Sequence, residues 1–438
     1  MRDKDPFVLY NNYMLFLGII IGLIALTLIV TLHELGHFWA ARRGGVYVEE
    51  FGIGMPPKAW QKKTRRFRDL FKKSDKIKDP KPKKGQPRLR PFIFSLNWLP
   101  IGGFCRMKGE SSQDISKGSF GAATFKAKTL ILFGGVLMNL LTAALIFTTL
   151  MWTGMPRLLA NQVHIPADTR IVSSSVTVSR LLEGSPAAEA GFSLGDEIIS
   201  VAGTPVPSAA VLPNITAAHA GETVEVIARR TGTTCQDPDM PPFNGAAVCG
   251  TQHTYEFTKT VTLNDGQDGR GYLGLSAESS ERIYATWSAP LVGIALTAQL
   301  TGETIRGVGT IFSNLGSGLV RQFHPASDTR EAGRAEISAA SDGVTGPVGI
   351  IGIIFPNATA AGPSMILLLV AIISLSLAVM NLLPIPALDG GRWLMLLVAK
   401  LRGKPLSEER EQKLITYSFV AVLALGGLII ILDVVRLF

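Results

Sequence analysis

Four long apolar runs dominate the hydrophobic pattern of the chain. They cover Met14 to Leu32, Thr129 to Trp152, Ser364 to Asn381 and Leu414 to Val435. Because a helix rises about 1.5 Å per residue, each run is long enough as a helix to cross the hydrocarbon core of a bilayer. The pattern predicts a polytopic α-helical membrane protein with four transmembrane helices.

The first apolar run has a secretory signal as its competing interpretation. The residues before it, Arg2-Asp3-Lys4-Asp5, are electrically balanced, and no small-x-small cleavage pattern follows it. A signal peptide has a positively charged start and a cleavage site of that kind. We therefore expect the first run to be retained as a membrane helix.

Between the second and third runs, Ile171 to about Leu275 shows short alternating strands separated by turn residues. Residues 182–203 add a Ser-Pro start of a short helix, a glycine at its end, a Gly-Asp turn and a further strand. This order resembles a PDZ domain of the bacterial protease type, a fold that binds extended peptides along a sheet edge. The alternative is a small β-rich insert that binds no peptide.

The region after the insert mixes apolar and polar segments. Pro290 to Leu319 is apolar but contains Glu303, Arg306 and several glycines, which favours an amphipathic or packed helix on the outer face over a fifth span. Phe323 to Val344 is polar and is predicted to be a linker. The predicted parts are an N-terminal membrane part (1–160), the insert (171–275), the outer helix with its linker (276–345) and a C-terminal membrane part (346–438).

A membrane-associated β-hairpin or loop is predicted at Phe92 to Lys108. This segment has strand-forming residues interrupted by Pro100, Gly102 and Gly103. Irregular backbone of this kind is tolerated at membrane depth only where it is buried in protein or lines a cavity. We therefore expect a β-rich loop beside a polar site.

Composition supports a membrane protein and distinguishes its two sides. The 438 residues are 47% hydrophobic and carry a formal net charge of +9. Lys58 to Arg90 contains fifteen Lys and Arg and three acidic residues, and a second basic stretch covers 400–413. Basic loops mark the cytoplasmic side, so four alternating spans place the insert and both termini outside. Aromatic residues are sparse among these charges, which favours a lipid bilayer over nucleic acid as their neighbour.

The three cysteines set few constraints on the fold. Cys105 lies in the predicted β-loop, whereas Cys235 and Cys249 flank a Pro- and Gly-rich excursion of the insert. The latter two are candidates for a disulfide if the insert faces an oxidising compartment. Two free thiols are the alternative.

The candidate chemistry lies at the end of the first run, where His33, Glu34 and His37 form a His-Glu-x-x-His motif. In a helix the two histidines are one turn apart on one face, so both imidazoles reach one metal ion. Glu34 flanks that face, close enough to act on metal-bound water. Ionisable residues are costly inside a membrane and require partners or a function, which favours metal binding over two packed or capping histidines.

A catalytic zinc ion needs a third protein ligand. The other four histidines are predicted to lie outside the membrane, so a carboxylate in a membrane segment is the better candidate. Asp389 and Asp433 compete for this role. Asp389 follows a Pro-broken helix end at the predicted depth of His33, and Gly390-Gly391 permits close backbone approach. Asp433 lies near the chain end, where a solvated or helix-terminal aspartate is ordinary, so we favour Asp389.

Taken in order along the chain, these motifs resemble the site-2 protease family of intramembrane zinc metalloproteases, peptidase family M50. The resemblance rests on the motif at residues 33–37, on the PDZ-like insert, and on Asn-x-x-Pro-x-Pro-x-Leu-Asp-Gly at residues 381–390. It covers nearly the whole chain. One PDZ-like domain is visible, whereas some bacterial members of the family have two in tandem, which leaves open how substrate size is screened.

The resemblance also implies roles for individual residues. A single Zn²⁺ is expected, held by three side chains, with a glutamate as general base and a small group of residues in contact with the substrate. The residues at the matching positions are His33, His37 and Asp389 as zinc ligands, Glu34 as the base, and Asn381, Pro384, Gly102 and Gly103 as substrate contacts.

The implied reaction is hydrolysis of peptide bonds within or next to the transmembrane segment of single-span membrane proteins, such as anti-sigma factors or signal-peptide remnants. The resemblance implies that another protease first trims the substrate, that the PDZ-like insert screens substrate size, and that the enzyme lies in the bacterial inner membrane. One alternative is a catalytically silent PDZ-bearing scaffold, which would lack a ligand or the base, and the sequence lacks neither. A transporter would show inverted repeats, and the sequence shows none.

Overall fold

The computed structural model describes residues 6–70, 90–109, 114–159, 161–233, 252–265, 271–324, 326–342, 345–404 and 406–437. The chain forms two compact units, one of Met1–Leu150 with Ala289–Phe438 and the other of Met151–Ser288. Cys235 and Cys249, with the disulfide considered between them, and most of the basic loop lie outside the described residues.

The described helices and strands alternate along the chain. The helices are α1 (Pro6–Arg43), α2 (Phe125–Thr153), α3 (Pro186–Glu189), α4 (Leu212–Ala218), α5 (Ala289–Gln322), α6 (Ser327–Asp342), α7 (Pro347–Gly349), α8 (Phe355–Ala361), α9 (Pro363–Leu382), α10 (Asp389–Arg402) and α11 (Glu408–Leu437). The strands are β1 (Val48–Thr64), β2 (Phe92–Met107), β3 (Met155–Pro156), β4 (Arg170–Leu181), β5 (Glu197–Val201), β6 (Thr204–Pro205), β7 (Thr223–Thr233), β8 (Gln252–Thr262) and β9 (Leu275–Tyr284).

All four apolar runs predicted to cross a membrane are helical. The segments long and apolar enough to span a bilayer are Leu15–Arg43, Phe125–Thr153, Pro363–Leu382 and Glu408–Ile431, which lie in α1, α2, α9 and α11. Arg42 and Arg43 form the last turn of α1, where cations interact favourably with the helix dipole. The length and composition of these helices identify a membrane protein.

The segment after the insert is a helical hairpin instead of one helix and a linker. α5 is helical as expected, but α6 forms where a polar linker was predicted. Glu336 of α6 accepts a hydrogen bond from the Ser317 hydroxyl at 2.8 Å and pairs with Arg321 at 2.7 Å, both on α5. The α6 sequence is rich in alanine, glutamate and arginine, which are strong helix formers. This helix propensity outweighs the polarity from which a linker was predicted.

β1 and β2 form a two-stranded sheet in which both strands fold back on themselves. Residues 50–53 of β1 pair on one side with 93–96 and on the other with 103–106 of β2. The predicted β-loop is therefore a strand. Its partner β1 extends to Thr64, into the stretch from Lys58 that the sequence predicts to be a basic loop. The Thr27 hydroxyl donates to the carbonyl of Pro100, which fastens β2 to α1.

The second unit is a seven-stranded sheet with the strand order β3-β9-β4-β5-β7-β8, and β6 pairs with β5. Its core includes Val176, Ile198 and Val226, all almost completely buried. The Ser185 hydroxyl accepts a hydrogen bond from the backbone N–H of Ala188, so the Ser-Pro dipeptide starts α3 as predicted. The unit is larger than the predicted 171–275 because β9 pairs along β4, and β3 pairs with β9.

Asp168 joins two parts of the second unit. The hydroxyl of Ser288 donates to its carboxylate at 2.6 Å, and the backbone N–H groups of Thr286 and Ser288 donate at 2.8 and 3.0 Å. The hydrogen bond from the Ser288 hydroxyl, followed by that from the Thr286 hydroxyl, holds the pKa of the Asp168 carboxyl well below its usual range. A depressed carboxyl pKa contributes stability that is complete above the unfolded pKa and lost as the pH falls through the folded one.

The thermal unfolding midpoint should therefore fall as the pH drops below about 4, the usual aspartate pKa. Asp168→Asn is expected to flatten this acid dependence. The measurement is a melting curve of the full chain in detergent at a series of pH values. Asp328→Asn, an exposed residue of α6, is the matched control. An Asp168→Asn profile that follows the unmodified protein at every pH would contradict the assignment.

Candidate metal centre

Two imidazoles and one carboxylate meet at a single point in the first unit. His33 and His37 project from one face of α1, and both are buried, with exposures of 5% and 7%. Their Nε2 atoms are 3.1 Å apart. Oδ2 of Asp389 lies 3.2 Å from Nε2 of His33 and 3.3 Å from Nε2 of His37. The structure thus brings together the three residues predicted as ligands, although most of the chain lies between them.

A sharp turn between α9 and α10 places Asp389. α9 ends at Leu382, and Leu383 is extended, with φ −60° and ψ 146°. The chain then folds back so that the start of α10 packs on backbone carbonyls of the turn, where a Cβ on Gly390 or Gly391 would overlap them. The two glycines therefore permit the turn that carries Asp389 to α1.

Asp433, the competing carboxylate, is occupied elsewhere. It is 4% exposed, and its two oxygens accept hydrogen bonds from the backbone N–H groups of Gly346 at 3.1 Å and Gly349 at 2.9 Å. These N–H groups belong to the start of α7, whose first-turn donors have no partner within the helix. Asp433 is thus a buried cap of α7 near the end of α11, so of the two expected alternatives, solvated or helix-terminal, the solvated one is wrong.

The outer nitrogens of both imidazoles have partners on α2. Nδ1 of His37 donates to the carbonyl of Ile131 at 2.7 Å. Nδ1 of His33 lies 3.2 Å from the side-chain amide of Asn139, which is fully buried. The two ends of an amide are interchangeable by a half turn, and with its oxygen toward His33 it accepts the Nδ1 proton. Each Nε2 then presents a lone pair to the shared point.

This arrangement fits a metal ion. The Oδ2 atom of Asp389 is buried, and no described residue donates a hydrogen bond to it. Two imidazole lone pairs and a carboxylate oxygen aimed at one point repel each other unless a cation lies between them. Two histidine nitrogens and one carboxylate oxygen are a donor set that zinc takes in catalytic sites, with a further position left open.

A cavity of about 250 Å³ adjoins these three side chains. Glu34 lines it, and the backbone N–H of Cys105 on β2 donates to the Glu34 carboxylate. Asn381 also lines it, at the end of α9, and donates its amide N–H to the carbonyl of Leu377 at 3.0 Å. The donor cluster, the Glu34 carboxylate and the Asn381 amide therefore all line one cavity.

Three of the predicted substrate contacts lie away from the cavity wall. Pro384 is exposed and is not among the described residues that line the cavity. Gly102 and Gly103 lie on β2 against α1, where a Cβ would come within 3.5 Å of Val30 and 3.3 Å of the Thr31 hydroxyl, respectively. The two glycines bring β2 close to the helix that carries the histidines.

Close helix contact supports the donor cluster from α2. A Cβ on Gly36 of α1 would overlap the carbonyl of Gly134, so the two backbones touch. A Cβ on Gly135 would lie 2.5 Å from the His33 ring and 2.6 Å from Nε2 of His37. Small residues allow this approach, as in other packed membrane helices.

Several residues of the site were not assigned to it from the sequence. Asn139 is one of them, and its side-chain amide contacts His33 across the two helices. Arg392 and Cys105 also line the cavity. Arg392 is three positions after Asp389, and that spacing on one helix face is a signal that could have identified it.

Comparison with known proteins agrees with this geometry. The family model described as Peptidase family M50 matches residues 21–69 and 88–425. A protein of Clostridium perfringens with a provisional zinc metalloprotease name is 28% identical over 95% of this chain and 98% of its own length. Zinc metalloprotease RasP of Shouchella clausii is 23% identical over 94% and 97%. Regulator of sigma E protease of Haemophilus influenzae is 21% identical over 92% and 95%.

Proposed function

This chain belongs to peptidase family M50, and we infer that it is an intramembrane zinc metalloprotease that hydrolyses peptide bonds within or next to the transmembrane segments of membrane proteins. One observation carries this inference. His33, His37 and Asp389 converge beside Glu34 at a cavity, in a chain with four helices long and apolar enough to span a membrane.

We propose that His33, His37 and Asp389 hold the zinc ion. Ile131 and Asn139 hold the outer nitrogens of the two imidazoles and so keep both Nε2 atoms directed at the ion. When bound, zinc makes water more acidic and polarises a carbonyl group. The Asp389 carboxylate lowers the net charge of the site, which favours a divalent cation in a buried place.

Glu34 is proposed as the general base. Its carboxylate lines the cavity beside the ligands, and the N–H of Cys105 helps to fix its orientation. Glu34 takes a proton from the attacking water and delivers it to the nitrogen of the leaving amine. One residue thus serves both proton transfers.

The substrate is proposed to bind as an extended strand. A transmembrane helix satisfies its own backbone hydrogen bonds, so it must unwind before its carbonyl can be attacked. Residues 103–106 of β2 pair with β1 on one side, and in the described chain no strand pairs with their other side. This edge carries Cys105, which lines the cavity. An unwound substrate can pair there and gain back lost hydrogen bonds, with Asn381 contacting it across the cavity.

Gly135→Ala is expected to weaken zinc binding and to reduce cleavage by about 10- to 100-fold, the loss seen when the support of metal ligands is disturbed. The added methyl would push both imidazoles away from the shared point. Zinc content and cleavage of a model membrane substrate are the measurements. Gly302→Ala, on α5 where a Cβ meets nothing within 4 Å, is the control. Normal zinc content in Gly135→Ala would contradict the packing argument.

The second unit is proposed to be a PDZ-like domain that screens substrates. Support comes from its antiparallel sheet, from α3 with its Ser185 cap, and from the turn at Gly195 that leads into β5. We propose that the substrates are single-span proteins whose outer domain another protease has removed. The insert and both termini are proposed to lie outside the bacterial inner membrane, and the basic loop at 58–90 in the cytoplasm.

Cleavage of matched substrates in proteoliposomes tests these proposals. One substrate keeps its outer domain and the other is trimmed to a short stub. The unmodified enzyme is expected to cut the trimmed form and to spare the other. Because β3 pairs with β9, both ends of the insert lie side by side, and a short Gly/Ser linker can replace residues 155–286. That variant should cut both substrates, and unchanged discrimination would refute the screening role.

A further inference from the structure

A second cavity lies in the first unit, where the termini of three helices meet. It has a volume of about 380 Å³ and is bounded by the start of α2, the end of α10 and the start of α11. Phe125, Leu396 and Ala399 contribute to an apolar floor. No lining residue is shared with the cavity beside the metal centre. This second cavity, here called the lysine groove, plays no part in the proposed reaction.

Three lysines surround the apolar floor of the lysine groove. They are Lys128 of α2 and Lys400 and Lys404, at and just beyond the end of α10. Nζ of Lys400 lies 4.0 Å from the ring centroid of Phe125, so its charge lies against the apolar lining of the groove. Glu411 is the acidic residue of the lining, so three positive charges against one negative leave the groove with a net charge of +2.

The position of the lysine groove along two membrane helices indicates its depth. The candidate spans in α2 and α11 begin at Phe125 and Glu408, and the groove contains residues from the first turn of each helix. The end of a transmembrane helix lies at the level of the lipid headgroups, where lysines keep their charge in the polar layer and their stems on apolar surface. An apolar floor with a cationic rim at this level matches a molecule with a charged head and an apolar tail.

We propose that the lysine groove binds an anionic phospholipid, with the headgroup phosphate against the three lysines and an acyl chain on the apolar floor. An anionic lipid is chosen because its phosphate is negatively charged and the three lysines are positively charged. The basic stretch of the chain itself is not a suitable occupant, since residues 71–89 contain eight Lys and Arg and two acidic residues, the same sign as the rim. A soluble phosphate compound would leave the apolar floor uncovered.

The test is native mass spectrometry of the full chain, titrated in mild detergent with phosphatidylglycerol or phosphatidylcholine of identical acyl chains. Each lysine near an anionic headgroup strengthens binding by about fivefold, so phosphatidylglycerol should bind at least ten times more tightly. The triple variant Lys128→Gln, Lys400→Gln and Lys404→Gln should lose this preference. Its binding of phosphatidylcholine should not change.

A control with the same change of charge separates a site from a general attraction. Lys117→Gln, Lys126→Gln and Lys413→Gln together remove three exposed lysines that do not line the lysine groove, and this triple should keep the preference. Ala399→Trp should weaken phosphatidylglycerol binding by filling the floor without altering charge. Competition with inorganic phosphate distinguishes a lipid site from an anion site, and millimolar phosphate should not displace the lipid.

Three results would each overturn the proposal. They are equal affinity for the two lipids, equal losses in both triple variants, and displacement of phosphatidylglycerol by inorganic phosphate. Should the lysine triple variant fail to fold, the single exposed change Lys404→Gln still has to lower phosphatidylglycerol affinity by several-fold.

Discussion

Glu34→Gln is expected to keep about one zinc ion per chain while the cleavage rate falls by about a thousandfold, within the range that a positioned general base contributes. Glutamine retains the shape of glutamate but cannot take a proton from water. The three ligands are untouched by this change, so the ion should stay. The measurements are zinc content of the purified protein and initial cleavage rates of a single-span substrate in proteoliposomes.

The exposed residue Glu49 provides the matched control for this change. Glu49→Gln removes the same charge from the same unit without touching the cavity, and it should leave both measurements unchanged. Loss of zinc in Glu34→Gln would make Glu34 a ligand instead of the base. A nearly normal cleavage rate would require a different base. A protein that acted only as a PDZ-bearing scaffold would show the same function with glutamate or with glutamine at position 34.

Asp389→Asn is expected to lower zinc affinity by more than a hundredfold and to abolish cleavage. Loss of a hydrogen-bond partner behind a metal ligand already costs about 10- to 100-fold in affinity, and loss of a ligand should cost more. Asparagine keeps the shape of aspartate but removes the negative charge that lies within 3.3 Å of both histidine Nε2 atoms. Competition with a fluorescent zinc chelator measures the affinity.

Asp433→Asn is the informative control because Asp433 was the other candidate ligand. It caps the start of α7 through Gly346 and Gly349, so its replacement should lower the thermal stability of the protein. Zinc affinity of the protein that remains folded should stay normal. A large loss of zinc affinity in Asp433→Asn, together with a normal affinity in Asp389→Asn, would make Asp433 the ligand. That result would refute the assignment of Asp389 to the metal site.

Much of the architecture follows from local sequence. The four apolar runs predicted α1, α2, α9 and α11 because a helix long enough to cross a bilayer is recognised from length and composition alone. The spacing of His33 and His37 predicted a shared face because one helical turn separates them. Errors arose where pairing partners are distant. β1 was not predicted because its strand residues meet β2 only through a chain reversal, and the insert was drawn too short because β9 pairs with β4.

The site shows the same contrast between local and distant information. The motif on α1 and the Asp389 turn were each recognisable within a few residues, since helix periodicity and glycine-dependent turns are local properties. Three features could be seen only in the folded chain. They are the convergence of His33, His37 and Asp389, the contact of Asn139 with His33, and the role of Asp433 as a helix cap. Those contacts join residues from separate helices, and such geometry depends on how the helices pack against each other, which no single segment encodes.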